Sequence, residues 1–221
     1  MTTDTPPRRK WHFNRWLIVF IVATLGWSGW RAYAFRSVLS QATALGWQVK
    51  YTDPVEEIRK NWKAAFKKET WLDGVTMVRI PTSAAFEQHL AIVHRLNPKA
   101  LVIENASTLR DLSALRPLTR LQGFSLRNCA ALTNVDALKN LSAVKVFQLV
   151  DCQGLANVDA LKHLSALREV YLNICTGLTN VDGLMNLRAL HTVYLDGCTG
   201  LTKESVAALK AALPNAQIFG P

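Results

Sequence analysis

The feature that most constrains the fold of this chain is a 23-residue repeat that runs without a slip from Leu121 onward. Successive units begin at Leu121, Val144, Leu167, Leu190 and Leu213. A leucine and a cysteine recur at fixed phases of the units, at Leu126, Leu149, Leu172 and Leu195, and at Cys129, Cys152, Cys175 and Cys198. A unit this short cannot bury its own apolar face and must stack on copies of itself, so the period predicts a solenoid with a long surface suited to binding.

Weaker copies of the unit lie on both sides of the regular array. Residues 98–120 and 75–97 carry apolar side chains at the same phases, and Ala216 and Ile218 supply a last strand. We therefore predict a repeat domain of residues 75–221 that contains about six repeats and a terminal strand.

One unit carries a recognisable signature. Residues 167–175 read LREVYLNIC and match the LxxLxLxx(N/C) pattern of leucine-rich repeat proteins. Residues 178–187 resemble the convex half of bacterial internalin-type repeats, and the cysteine resembles that of the cysteine-containing repeat subclass. The resemblance implies an α/β leucine-rich repeat solenoid, with parallel strands on a concave face and short helices or 3₁₀ turns on a convex face. It also implies protein binding through the concave strands. Because the repeat length and the cysteine differ from internalins, no individual ligand-binding residue is carried over.

Alternation along each strand places the residues between the inward leucines on the outer face of the sheet. The candidate partner-binding residues on this face are Arg79, Glu104, Arg127, Asn128, Gln148, Asp151, Glu169, Tyr171, Asn173, Tyr194 and Asp196. Tyr171 and Tyr194 fall one unit apart, and tyrosine is a frequent interface anchor because it brings a large contact area with few rotatable bonds. The alternative is that these are ordinary strand residues suited to a pleated surface. On the opposite side, Asp136, Asp159 and Asp182 are placed to cap short helices.

The amino-terminal segment has the pattern of a membrane anchor. Residues 1–15 form a basic tail, and residues 16–30 contain no charged side chain. As a helix, residues 16–35 would measure about 30 Å, the thickness of a bilayer's hydrocarbon core. The basic tail predicts a single-pass signal-anchor with a cytoplasmic amino terminus and a periplasmic repeat domain. The alternative is a secreted protein, because a small-x-small pattern permits signal cleavage near Ala34.

Residues 36–74 are predicted to be a linker and an amino-terminal cap. Gly46 favours the end of a helix, and alternation over residues 47–51 predicts a short strand. Asp53, followed by proline, favours the start of an amphipathic helix. We predict that this helix covers the open end of the repeat core, as solenoids require. A basic helix lying on lipid headgroups is the alternative.

The net charge of +10 does not predict nucleic-acid binding. Residues 1–36 carry six Lys and Arg against one acid, and residues 37–120 carry twelve against eight. Residues 121–221 carry eight against seven, a net charge of only +1. A nucleic-acid surface needs its basic residues concentrated on the binding face, so we predict none.

The cysteines and histidines do not form a disulfide, metal-binding or catalytic motif in the sequence. Cysteines in register on neighbouring strands would place their Cβ atoms about 4.8 Å apart, against roughly 3.8 Å in a disulfide, so we predict four buried free thiols. The sequence contains no CxxC motif, and no histidine shares the cysteine phase, so we predict no metal. We also find no phosphate-binding glycine loop and no nucleophile–histidine arrangement, and predict neither a cofactor nor an enzyme.

These patterns favour a membrane-anchored, extracytoplasmic scaffold that recognises an unknown protein partner through its concave sheet. The lipid bilayer is the second predicted partner, through residues 16–35. The alternative function is a structural envelope protein that self-associates or contacts a cell-envelope polymer.

Overall fold

The computed structural model describes residues 33–51 and 75–221. The predicted basic tail, nearly all of the predicted membrane segment and the predicted helix from Asp53 lie outside the described residues. Within the described residues, no helix is both long enough and apolar enough to span a bilayer. The described residues from Val38 onward cluster as one compact unit.

A helix, α1, covers residues 33–44 and ends in a turn at Gly46, which has φ +73°. This end agrees with the predicted stop, because glycine adopts positive φ without steric cost. Val38 and Ala42 on this helix are buried, and so is Trp47 directly after it. The indole of Trp47 meets the ring of His89 edge to face, with the centroids 6.2 Å apart.

Eight strands form one sheet in which the order in space follows the order in sequence. Strand β1 pairs antiparallel with β2, and every later pair is parallel. The prediction of a short strand after Gly46 is therefore confirmed, but the pattern did not reveal that it runs antiparallel at the edge of the sheet. The strands are β1 (Gln48–Tyr51), β2 (Val75–Ile80), β3 (Ala100–Ile103), β4 (Gly123–Arg127), β5 (Val146–Val150), β6 (Glu169–Asn173), β7 (Thr192–Tyr194) and β8 (Gln217–Phe219).

The register between strands reproduces the 23-residue period. Phe124 pairs with Phe147 and Phe147 with Val170, and the same offset holds from β2 to β7. The inward side chains are almost wholly buried, and the rings of Phe124 and Phe147 stack with centroids 6.0 Å apart. The prediction that neighbouring units stack their leucines in one core is confirmed.

The last strand breaks the period, because Val193 of β7 pairs with Ile218 of β8, which is a 25-residue offset. A ten-residue helix, α4 (Lys203–Ala212), precedes β8 in place of a short turn. The longer helix consumes two additional residues before the chain returns to the sheet.

Short helices form the layer opposite the sheet. In the first unit they are α2 (Ser83–Gln88) and α3 (Leu90–Leu96), and in the next four they are 3₁₀ helices at Ser113–Leu115, Asp136–Asn140, Asp159–His163 and Asp182–Leu184. This arrangement, parallel strands in one layer and short helices in the other, is that of a leucine-rich repeat solenoid. The antiparallel β1 is the departure from it.

The short helices are capped differently from the prediction. Asp136, Asp159 and Asp182 are the first residues of their 3₁₀ helices and do not act as side-chain caps. The asparagine two residues earlier accepts the hydrogen bond from each aspartate's amide, as Asn134 does for Asp136 at 3.3 Å. Asn157 and Asn180 repeat the contact at 3.2 and 2.6 Å. The aspartate carboxylates instead lie in the first turn, where negative charge favours a helix.

The prediction of four free thiols is wrong for one pair. Cys129 and Cys152 form a disulfide with their Cα atoms 4.6 Å apart, whereas Cys175 and Cys198 are free and buried. The prediction took the spacing of extended strands, but each cysteine lies past its strand, after a residue with positive φ. The observed Cα separation falls within the range that disulfides use.

Candidate recognition surface

The outer face of the sheet carries three rows of side chains, which run across the strands from unit to unit. The registers align Arg79, Val102, Ser125, Gln148, Tyr171, Tyr194 and Phe219 in the middle row. Beside it, Arg127, Val150 and Asn173 form a second row toward the strand ends. Glu169 belongs to the third row, at the strand starts, where it pairs with Thr192. The registers therefore bring predicted residues from distant parts of the sequence next to one another.

Three aromatic rings form a continuous stack at the carboxy-terminal end of the middle row. The ring centroids of Tyr171 and Tyr194 lie 4.9 Å apart, with an angle of 9° between the ring planes. The centroids of Tyr194 and Phe219 lie 4.7 Å apart, with an angle of 14° between the planes. These separations match the strand spacing of about 4.8 Å, so the sheet itself holds the rings face to face. Because each inner ring face meets a neighbour, a partner approaching this part of the sheet meets mainly ring edges.

Phe219 was absent from the predicted surface, although it is 41% exposed. The 25-residue offset of β8 brings it beside Tyr194, a position that the 23-residue period does not assign to it. The signal in the sequence was the alternation that begins at Gln217, two residues later than the period requires.

A hydrogen bond fixes the direction of the Tyr171 ring. Its hydroxyl donates to Oε2 of Glu169 at 2.9 Å, two residues earlier on the same strand. This bond raises the pKa of the Tyr171 hydroxyl, and burial raises it further. The bond therefore favours the neutral phenol and holds the ring over the strand starts.

The amino-terminal half of the surface is polar and internally paired. Arg79 forms an ion pair with Glu104, and this hydrogen bond lowers the pKa of the Glu104 carboxyl. Ser125 donates to Oε1 of Gln148 at 2.9 Å and is itself buried. These groups satisfy one another, which leaves fewer polar atoms for a partner in this half. Arg127, by contrast, is exposed.

Two predicted residues lie past the strand ends, in a row of left-handed backbone. Asn105, Asn128, Asp151, Ile174 and Gly197 occupy the same phase of successive units and have φ between +46° and +75°. Asn128 donates to Oδ1 of Asn105 at 3.2 Å, which links neighbouring units along this row. Sequence reasoning missed the row, although asparagine, aspartate and glycine at one phase are typical of left-handed turns.

Ile174 is the unusual member of this row. It is 49% exposed, and a β-branched residue at φ +57° is a conformational outlier. It follows the strand that carries Tyr171, so it extends the apolar part of the surface toward the strand ends. The remaining predicted residue of this region, Asp196, is exposed and is the second residue after β7.

Charge divides this face along the strand direction. The outward positions of β5 to β8 and the first two residues after each of these strands include Asp151, Glu169 and Asp196 and no Lys or Arg. Basic residues lie instead directly before the strands, at Lys145 and Arg168. A partner that covered the aromatic stack would meet acidic groups on it and basic groups along one edge.

The cavities formed by the described residues are small for a site that binds a small molecule. The two best-formed cavities measure about 220 and 170 Å³, below the 300–1,000 Å³ common for ligand sites. The first lies between α4 and the residues after β8, and the second beside Arg79 and Glu104. Across residues 33–51 and 75–221, no three His, Cys, Asp or Glu residues converge as metal ligands would.

No protein-family model matches this sequence. No curated protein matches it significantly either.

Similar solved structures contain leucine-rich repeats. An internalin C2 from Listeria monocytogenes is 21% identical with a TM-score of 0.44, and the match covers 68% of this chain and 75% of that one. An internalin from the same organism, inlF, is 16% identical with a TM-score of 0.36, and the match covers 58% of this chain and 49% of that one. TLR13 in complex with ssRNA13 is 14% identical with a TM-score of 0.41, and the match covers 59% of this chain and 19% of that one. Because these likenesses are weak, the fold assignment rests on the register and the two layers described above.

Proposed function

We propose that this chain is a recognition scaffold that binds a protein partner through the outer face of its sheet and has no catalytic role. The observation that carries the proposal is the stack of Tyr171, Tyr194 and Phe219 on that face. Aromatic side chains are enriched at protein interfaces, where a few such residues supply most of the binding energy. A packed stack also loses little rotamer freedom on binding, which lowers the entropic cost of association.

The surroundings of the stack support the same function. Exposed Ile174 and half-buried Val150 add apolar area, and Asp151, Glu169 and Asp196 supply charged groups around it. An apolar centre with polar groups around it is the usual anatomy of a protein interface. In the polar amino-terminal half of the surface, by contrast, Arg79 is already paired with Glu104.

Photocrosslinking in the native host tests the proposal. A photoreactive amino acid at Val150, on the outer face, should form a specific crosslink to a second protein. The same group at Lys162, exposed on the 3₁₀ layer, should form none. In the protein that carries the photoreactive group at Val150, the double substitution Tyr171→Ala and Tyr194→Ala should abolish the crosslink without lowering the Tm. The control double substitution, Lys139→Ala and Lys162→Ala, should leave the crosslink intact.

The outcomes separate the proposed function from its alternative. A crosslink from Lys162 but not from Val150 would remove the outer face from consideration. Crosslinks from both positions that yield only homo-oligomers would favour the self-associating envelope protein. Retained crosslinking in the double tyrosine variant would remove the aromatic stack as the anchor.

We also propose that residues 16–35 anchor the protein in a membrane, with residues 1–15 in the cytoplasm and the repeats in the periplasm. The support is in the sequence, where a basic tail leads directly into an uncharged apolar segment. The mass of the protein isolated from the host distinguishes the two processing states. A chain that retains positions 1–34 and fractionates with membranes agrees with the anchor, and a chain beginning near Phe35 would show that the segment is a cleaved signal.

A further inference from the structure

We propose that Cys175 and Cys198 are the site of a second disulfide, which joins the units of β6 and β7 as Cys129 and Cys152 join those of β4 and β5. The proposal is independent of the proposed function. It would make the carboxy-terminal half of the repeat domain covalently cross-linked in an oxidising compartment.

The repeat makes the two pairs geometrically equivalent. Cys129 and Cys152 are one 23-residue period apart and bonded, with a Cα separation of 4.6 Å. Cys175 and Cys198 have the same separation in sequence, and the strands before them pair in the same register, with Tyr171 opposite Tyr194 as Ser125 is opposite Gln148. Each of the four follows a residue of positive φ, so the backbone turns in the same way before each sulfur.

The two free thiols lie in the same buried core and interact electrostatically. Their interaction raises the pKa of Cys175 and lowers that of Cys198. The Cys175 thiol donates to the carbonyl oxygen of Asn173 at 3.6 Å. The Cys198 sulfur in turn lies 2.8 Å from the carbonyl oxygen of Leu172. Both side chains are wholly buried. The two sulfurs are therefore held on neighbouring units and shielded from solvent.

The chemistry requires a disulfide oxidant, for which oxidised glutathione is the probe. The thiolate of one cysteine attacks a glutathione sulfur, forms a mixed disulfide and releases one glutathione thiolate. The second cysteine's thiolate attacks the protein sulfur of that mixed disulfide and releases the other glutathione. The two cysteine protons pass to the departing glutathione thiolates, so two thiols are oxidised and one disulfide is reduced.

Burial determines when this reaction occurs. Exchange requires a thiolate that the oxidant can reach. Because both sulfurs are inaccessible in the folded chain, oxidation takes place before the last units stack or when they open. Oxidative refolding should therefore form the bridge, whereas the folded, reduced protein should resist the same reagent.

Tryptic mapping tests the pairing directly, because cleavage after Lys and Arg puts each cysteine in a different peptide. The full chain is refolded in detergent with oxidised and reduced glutathione, its free thiols are blocked with N-ethylmaleimide in denaturant, and it is digested without reduction. The peptides that carry the four cysteines are 128–139, 146–162, 169–188 and 189–203. We expect 128–139 linked to 146–162, and 169–188 linked to 189–203, with both links lost on reduction.

Each other result would overturn the proposal. Peptides 169–188 and 189–203 that both carry the blocking group would show that the pair stays reduced, and a link between 146–162 and 169–188 would show a different pairing. As the matched control, Cys175→Ala should leave 189–203 blocked and keep the link between the first two peptides. If that variant fails to fold, Cys198→Ala provides the same comparison with 169–188 as the blocked peptide.

Discussion

At the scale of single residues, the most informative group is the row of left-handed backbone at the strand ends. Asparagine, aspartate and glycine tolerate positive φ, because a short polar side chain or no side chain reduces the clash with the carbonyl. Ile174 has φ +57° at the same phase with a branched side chain. A residue that costs stability and is half exposed is more easily explained by binding than by folding.

A comparison of glycine and alanine at this residue measures the strain. We expect Ile174→Gly to be more stable than Ile174→Ala by about 1 kcal/mol, because alanine keeps a clashing Cβ at positive φ. Both variants lose the same isoleucine contacts, so the difference isolates the backbone. Chemical denaturation measures it.

Val150 provides the control on an ordinary strand. At this position, the Val150→Gly variant should be less stable than the Val150→Ala variant by about 0.5–1 kcal/mol. The same order of stability at both positions would mean that Ile174 is not strained.

At the scale of the element, the turn after each cysteine determines how closely neighbouring units approach. Gly154, Gly177 and Gly200 occupy this turn at one phase of the repeat. A Cβ on Gly154 would lie 2.7 Å from the carbonyl oxygen of Ala130 in the preceding unit, and one on Gly200 would lie 2.7 Å from that of Thr176. Each glycine thus permits a backbone contact between units that no side chain could fit.

Gly177→Ala tests this contact. The new methyl group would collide with the carbonyl oxygen of Gln153, which belongs to the backbone and cannot rotate away. We expect a loss of about 1–3 kcal/mol in the free energy of unfolding, the range for overpacking at a close contact. A thermal or denaturant titration measures the change.

Ala131 is the matched control, because it occupies the same phase in the first unit that carries a cysteine. Ala131→Gly should cost no more than about 1 kcal/mol. An equal loss in both variants would show that the glycines are not required by close approach.

At the scale of the whole molecule, stability passes from unit to unit. The sheet contacts run between neighbouring strands, and the 3₁₀ helices contact their neighbours in the opposite layer. Leu172 lies in the middle of the array and is wholly buried, with Leu149 opposite it on the preceding strand. An array of this kind behaves as a chain of units joined by interfaces, so damage to a central unit also weakens the units beside it.

Leu172→Asp should unfold the middle of the array. A lone buried carboxylate costs on the order of several kcal/mol, against a total stability of about 5–15 kcal/mol for a domain. Hydrogen exchange should show lost protection throughout β5, β6 and β7. The control is Val150→Asp, which places the same charge on the outer face opposite Arg127 and should leave protection unchanged. Loss of protection confined to β6 would contradict coupling between units.

Much of the fold could be predicted from the sequence because burial imposes a period. The inward positions from β3 to β7 recur with the 23-residue period, and a polar residue at any of them would remain buried without solvent. The outer face imposes no comparable restriction. The period therefore identified which residues of β2 to β7 lie on it, but it gave no information on which of them contact each other. The pairing of Arg79 with Glu104 and the stacking of Tyr171 on Tyr194 depend on side-chain directions that the repeat does not specify.

The sequence by itself therefore determined the phase of the core, the stacking of units and the face on which Tyr171 and Tyr194 lie. Only the tertiary structure decided the antiparallel direction of β1, the 25-residue offset that brings Phe219 into the stack, and the bond between Cys129 and Cys152. The physical reason is that a repeat records which side chains must leave water in every unit. The ends of the sheet and the turns after the strands depend on backbone geometry, which changes where the chain has no further unit to match.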